Sequence, residues 1–498
     1  MNYQCKTINL VLAFVCILGG AWLPATQARE GSLPYSRQVQ FIPQDNAPAG
    51  LQRDAWDQIV RQILQSERPS TLETIFTPEV AKITASDGLA SDGFGYSVSV
   101  SGDTLVVGAD RKTINGKLGQ GAAYVFYRNQ GGAHRWGQVK KLIADDGAED
   151  DRFGWSVAIS GDTIAIGAFN ADVGICEDPP YCYDQGAAYI FYRNQGGPDN
   201  WGQLRKLTAS DGFAGDKFGR YISISGNTLV VGAPEADPEG AEMQGEAYIF
   251  YRDQGGADNW GEVKKLTVTD VDTVFRFGIS VSISEDKIVV GANTFVGGNS
   301  NQGAAYVFYR DQGGADNWGQ VARLTAADGV AGDDFGYRVS ISGDTVVAGA
   351  RVATVGDNAL QGAAYVFSRD QGGADHWGEV KKLIASDGAA DDSFGADVLI
   401  KDDMIVVGAV GHLGSLGPQG KAYLFTRNQG GPDAWGEVTK LTASNGTAGD
   451  IFGWSVSISQ NTLVIGANGA DIGENTNQGA AYVYYFQSLG VYLPMIIR

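Results

Sequence analysis

Short polar and β-branched residues alternate over one stretch of this chain, an apolar run follows, and the pair of patterns returns again and again. Residues 335–350 read "FGYRVSISGDTVVAGA". "YRVSIS" alternates, as a strand with two different faces does, while "TVVAGA" is nearly continuous apolar and must be covered on both faces. The Gly-Asp pair between them tolerates positive φ and reads as a two-residue hairpin turn. A variable stretch follows, then "QGAAYVFSRDQGGADHWGEVKKL" at 361–383. "AAYVFSR" is aromatic and β-branched and "EVKKL" is half polar, which gives a third and a fourth strand. Each unit is thus expected to be a small antiparallel sheet that identical neighbours cover by stacking.

The Phe-Gly pair that opens the unit recurs at Phe94, Phe153, Phe218, Phe277, Phe335, Phe394 and Phe452, at spacings of 59, 65, 59, 58, 59 and 58. Seven units in register set the architecture. The last unit ends at "QGAAYVYYF" without a Trp-Gly pair or an "EVKKL", whereas "EVAKIT" at 79–84 precedes the first Phe-Gly with no unit of its own. A fourth strand supplied from the other end of the chain removes the open edges of a ring. The expected fold is all-β: a seven-bladed β-propeller of four-stranded antiparallel blades over 79–486, closed by an N-terminal strand in the last blade.

The Phe-Gly start and the Gly-Ala end of the second strand, "VVGA" at 106–109 and "VVGAP" at 230–234, resemble FG-GAP repeats. That family includes the seven-bladed propeller of integrin α subunits and many secreted bacterial proteins, so the resemblance implies a propeller and an extracellular setting. Calcium-binding integrin repeats carry a D-x-D-x-D-G-x-x-D loop between strands 1 and 2. Here that place holds only two residues, such as Gly343 and Asp344, so those ligands do not carry over.

Outside the repeats, residues 1–28 read as a signal peptide, with Lys6, an apolar run from Ile8 to Leu23 and the small residues Thr26 and Ala28 before the expected cut. Residues 29–78 form a linker with a short amphipathic helix, "DAWDQIVRQILQ", that puts Trp56, Ile59, Val60, Ile63 and Leu64 on one face. Residues 487–498 are an apolar tail too short to span a bilayer. Losing the signal removes Lys6 and no acid, moving the formal charge from −20 to −21. So acidic a chain repels nucleic acid and anionic membranes and favours basic partners. With no spanning segment in the mature chain, it is read as a secreted or cell-surface monomer. Cys176 and Cys182, in "ICEDPPYC", are the two cysteines beyond the signal and are expected to form a disulfide.

Strand direction alternates, so the 2–3 loops and the 4–1 links share one face and the 1–2 and 3–4 turns share the other. The second face is monotonous. Its Trp136, Trp201, Trp260, Trp318, Trp377 and Trp435 read as packing between blades. The first face varies, and variable loops on a rigid scaffold are where binding resides. It also carries an aspartate seven and two residues before each Phe-Gly: Asp87 and Asp92, Asp146 and Asp151, Asp211 and Asp216, Asp328 and Asp333, Asp387 and Asp392. The fourth unit has Asp270 but Phe275, and the seventh has Asn445 with Asp450. These aspartates read first as turn caps accepting backbone N–H bonds. They are also the weak candidates for a Ca²⁺ site, which needs about 6 to 8 oxygens. No cofactor is otherwise expected. His134, His376 and His412 stand in no nucleophile pattern, so the chain is read as a non-enzyme. The expected function is a non-catalytic binding or adhesion module for an extracellular protein or glycan. A carbohydrate-active enzyme using paired acids on the first face, or a purely structural surface protein, are the competing readings.

Overall fold

In the computed structural model every unit folds as its pattern requires. The described residues are 73–76, 78–173, 183–237, 243–268, 274–295, 302–371, 373, 375–411 and 419–489; side chains are described from 78 to 486, except at 274, 275, 294 and 295. They fall within one compact unit, residues 69–498. The signal region, the expected helix, Cys176, Cys182, Asp270 and His412 lie outside the described residues.

Blade I is Phe94–Ser101, Thr104–Ala109, Ala122–Arg128 and Trp136–Leu142, hydrogen-bonded in sequence order as strands 1 to 4 from the axis outward. Blades II to VI repeat that order over 156–207, 221–266, 274–324, 335–383 and 394–441. Blade VII takes Ser455–Ser459, Thr462–Ala467 and Ala480–Leu489 from the C-terminal end. Its outer position is filled from the N-terminal side, where Ala81, Lys82 and Ile83 pair antiparallel with Val483, Tyr482 and Ala481. A second segment, Glu73–Phe76, continues along the same strand to Leu489, so the sheet extends beyond 79–486 at both ends.

The second strand is buried at every position in blades I, II, III, V and VII, because each blade lies between two others. The core is accordingly a set of sandwiches between blades. One cluster joins Val106 and Val125 of blade I to Phe153 and Tyr189 of blade II, and another joins Val464 and Val483 of blade VII to Phe94 and Leu105 of blade I. The Phe of each Phe-Gly is fully buried against two rings of strand 3, as Phe94 is at 5.6 Å from Tyr124 and 5.9 Å from Phe126. The glycines serve close approach between blades. Gly154 has φ +93°, and a Cβ on Gly108 would collide with the Gly154 carbonyl of the next blade, so neither position admits a side chain.

Strand 1 faces the axis and has a free edge, and its serines close that edge. The N–H groups of Val157, Ile159 and Gly161 in blade II donate to Oγ of Ser97, Ser99 and Ser101 in blade I, at 3.0, 3.1 and 3.3 Å. The same step joins blade VII to blade I, where Val98, Val100 and Gly102 donate to Ser455, Ser457 and Ser459 at 3.0 Å each. An edge strand that would otherwise offer its amides to another chain is thus capped by the neighbouring blade. The alternating Ser of "SVSIS" is a ladder around the axis.

Candidate binding face and channel mouth

The aspartates seven residues before each Phe do one job. Asp87 Oδ1 accepts the Tyr124 hydroxyl at 2.7 Å, and its Oδ2 accepts Lys141 Nζ at 2.8 Å. Asp146 binds Tyr189 and Lys206, Asp211 binds Tyr248 and Lys265, Asp328 binds Tyr365 and Lys382, and Asp387 binds Tyr423 and Lys440, all between 2.6 and 3.0 Å. Each carboxylate therefore pins its link to strands 3 and 4 of the blade that follows. Burial raises the Asp87 pKa, but the Lys141 and Tyr124 bonds and the nearby Lys112 more than offset it, leaving the carboxyl below its ordinary value.

The aspartates two residues before each Phe cap the turn. Asp92, Asp151, Asp216, Asp333 and Asp392 accept the amide three residues earlier, from Leu89, Ala148, Phe213, Val330 and Ala389, at 2.6 to 2.9 Å. Burial pushes Asp216 up to about 6, against the Phe213 amide and with help from Glu246. Blade III gathers the most acid, yet Lys265 Nζ sits 2.7 Å from Asp211 and 2.8 Å from Glu246, where a cation would otherwise go. Among the described residues no three His, Cys, Asp or Glu side chains converge in a way that could hold a metal ion.

On the opposite face the tryptophans pack between blades. Trp201, Trp260 and Trp318 are buried, and their Nε1 donates at 2.8 Å to Tyr127, Tyr192 and Tyr251 of the preceding blade. Arg193 lies over both Tyr127 and Trp201. Trp435 is the exception: strand 3 of blade V ends in Ser368 where blades I to IV and VII have Tyr, and the Trp435 Nε1 is buried without a partner.

The departures from sevenfold repetition gather where the axis opens onto the face of the 2–3 loops. The residue after each Phe-Gly is Tyr96, Trp155, Arg220, Ile279, Tyr337, Ala396 and Trp454. Tyr96 packs on Trp155 at 4.3 Å and on Trp454 at 5.3 Å, and Trp155 packs on Phe169 at 4.4 Å, which makes an aromatic wall across blades VII, I and II. Arg220 stands beside Trp155 and Phe169 and pairs with Glu235 at 2.6 Å. Across the axis, the first rung of the ladder changes from Ser to Tyr221, Arg338 and Asp397. Arg338 lies between Tyr221 and Tyr337, 4.4 and 4.5 Å from the ring centres, with Nε 3.4 Å from Asp397 Oδ1. Burial raises the Asp397 carboxyl to about 6, opposed by Arg338 and by the amides of Val456 and Val398. The axial cavity these groups share with the serines measures about 230 Å³. The repeat pattern sets the frame, and these positions differ from it in the sequence as the two residues that follow each Phe-Gly.

Seven segments match the FG-GAP repeat: residues 77–126, 136–191, 201–250, 260–308, 318–367, 377–425 and 435–484. The chain belongs to the FG-GAP repeat family. The first match begins at residue 77, ahead of the first Phe-Gly, so the family's unit starts with the outer strand of a blade. A comparison with curated proteins found no match. Among solved structures the chain is similar to the computationally designed Ika8 protein, at 12% identity over 82% of this chain and 100% of that one, with a TM-score of 0.43. Among the described residues no helix is long and apolar enough to cross a membrane.

Proposed function

We propose that this FG-GAP propeller is a secreted or cell-surface module that binds an extracellular protein or glycan, without catalysis, through the face of its 2–3 loops and 4–1 links. One observation carries the reading. Glycine stands after the Phe of all seven Phe-Gly pairs and before an Ala in all seven second strands, yet the aromatic and charged groups at the axial mouth differ from blade to blade. Repetition supplies the scaffold, and asymmetry at the mouth supplies recognition: aromatic faces and a guanidinium converging on a polar cavity are what a defined ligand requires. The consumption of both aspartate rows by tyrosine, lysine and backbone amides supports a non-catalytic role, since such carboxylates are engaged in holding the links.

Arrays of glycans and of extracellular-matrix proteins, probed with the purified chain beside a polysaccharide-degradation assay, test this. Binding without turnover is expected, and Trp155→Ala or Tyr337→Ala should abolish it. Polysaccharide cleavage that disappears in Asp397→Asn would make the protein an enzyme and overturn the reading.

A further inference from the structure

The binding face carries large apolar side chains in solvent, and they are unevenly placed. Leu89, Leu118, Tyr183, Phe213 and Met243 are 57, 63, 47, 68 and 43% exposed. Leu89 and Phe213 stand in the links entering blades I and III, and the other three stand in the 2–3 loops of blades I, II and III. At the position of Leu89 and Phe213, the links entering blades II, VI and VII carry Ala148, Ala389 and Thr447, and outside blades I to III Val330 and Ile384 stand singly on the links into blades V and VI.

These side chains are exposed on backbone that is held in place. The Asp150 amide donates to the Leu118 carbonyl at 2.8 Å and the Gly215 amide to the Tyr183 carbonyl at 3.0 Å. Each 2–3 loop is thereby stitched to the link into the next blade, and Tyr183 is brought beside the link that bears Phe213. The crescent over blades I to III is therefore preorganised, which lowers the ordering cost of association. Apolar groups held in water on a rigid surface mark an interaction site.

The rim decides what kind of partner fits. Asp145, Glu149, Asp172 and Asp237 border the crescent and form no ion pair with any described lysine or arginine, although Asp172 and Asp237 accept the Asp184 and Met243 amides, whereas Asp146 and Asp211 each hold a lysine of strand 4. We propose that this crescent docks a basic, amphipathic protein segment, its apolar side chains on Phe213, Tyr183 and their neighbours and its lysines or arginines against the acidic rim. The chain's own residues 54–65 carry two acids, Asp54 and Asp57, against Arg61, and lack the charge complement. This inference rests on the binding role proposed above and names the partner class.

The test uses the full secreted chain and two synthetic 16-residue amphipathic peptides that share a Leu/Phe face, one with lysines and one with glutamates on the polar face. Fluorescence anisotropy should give at least tenfold tighter binding of the lysine peptide, weakening with salt. Tyr183→Ser with Phe213→Ser should lose tenfold or more, and Asp145→Asn with Glu149→Gln should lose severalfold and flatten the salt dependence. Val330→Ser, outside the crescent, should change nothing, and unchanged melting of each variant guards against misfolding. Equal binding of the two peptides, no measurable binding of either, or an affinity untouched by the Tyr183 and Phe213 changes would overturn the proposal. A glycan whose binding is lost in Trp155→Ala and kept in the Tyr183/Phe213 variant would also overturn it, while leaving the proposed function standing.

Discussion

The serine ladder makes a quantitative claim about one hydroxyl. Ser457 Oγ accepts the Val100 amide at 3.0 Å across the junction of blades VII and I, and both residues are under a tenth exposed. Ser457→Ala removes that acceptor and leaves a buried N–H with none, which costs about 1–3 kcal/mol. On the next rung the Ser459 hydroxyl serves Gly102 at a partly open rim, where water can replace it, so Ser459→Ala should cost under about 0.5 kcal/mol. The converse change is available in blade II, where Ala158 interrupts the ladder opposite Ile224, between Ser156 bonded to Ile222 and Ser160 bonded to Gly226. Ala158→Ser should therefore gain about 0.5–1.5 kcal/mol. Urea unfolding at constant slope reads all three from midpoint shifts. Equal losses at Ser457 and Ser459, or destabilisation by Ala158→Ser, would refute the ladder as the device that closes the inner edges.

Ser368→Tyr should restore the missing acceptor for Trp435 Nε1 and raise stability by about 1 kcal/mol, read as a higher urea midpoint. Asp110, Asp216 and Asp397, each raised to about 6, bind protons more tightly in the folded state, so their contribution is greatest below the unfolded carboxyl value and is lost as pH rises through about 6. Asp87, Asp146, Asp211, Asp328 and Asp387 are lowered and act oppositely, present above the unfolded value and lost as pH falls through their folded ones. A plot of melting temperature against pH should therefore peak near about pH 5 and fall on both sides; a monotonic rise to neutral pH contradicts the assignment. Chelator should leave the melt in place, and Asp216→Asn should be neutral or slightly stabilising at pH 7, because the amide oxygen still accepts from Phe213 and the buried charge is gone; calcium-dependent melting diminished by Asp216→Asn would instead make this face metal-binding.

Period and register made the blades legible because each strand's burial follows from its own residues. "TVVAGA" must be covered on both faces wherever it stands, and Phe-Gly at near-constant spacing counts the blades directly. The turn-capping role of Asp92 and its equivalents was also readable, since the donor lies only three residues away. What lay beyond reading were contacts between repeats. Ser97 and Val157 are 60 residues apart, and Asp87 and Lys141 are 54 apart, so nothing local ties the alternating serines to a neighbour's amides or the first aspartate row to a lysine of strand 4. The tryptophans were legible as packing between blades, but the tyrosine that accepts the indole proton of Trp201, Trp260 and Trp318 was not, because it belongs to the preceding unit.

The same distinction bears on where function can sit. A residue that recurs from blade to blade is tied to the contact it makes, as Lys141 is to Asp87 and Ser99 to Ile159. Tyr221, Arg338 and Asp397 stand on ladder rungs that serine holds in the other blades, and of these three only Asp397 still caps a neighbour, accepting the Val456 amide at 2.8 Å. Blades III and V thus forgo a first-rung bond of about 1 kcal/mol each. A ring that tolerates that loss at the axial mouth, beside Trp155 and Trp454, has its least repetitive chemistry where a ligand could reach it, which is the physical ground for seeking recognition there rather than in the aspartate rows.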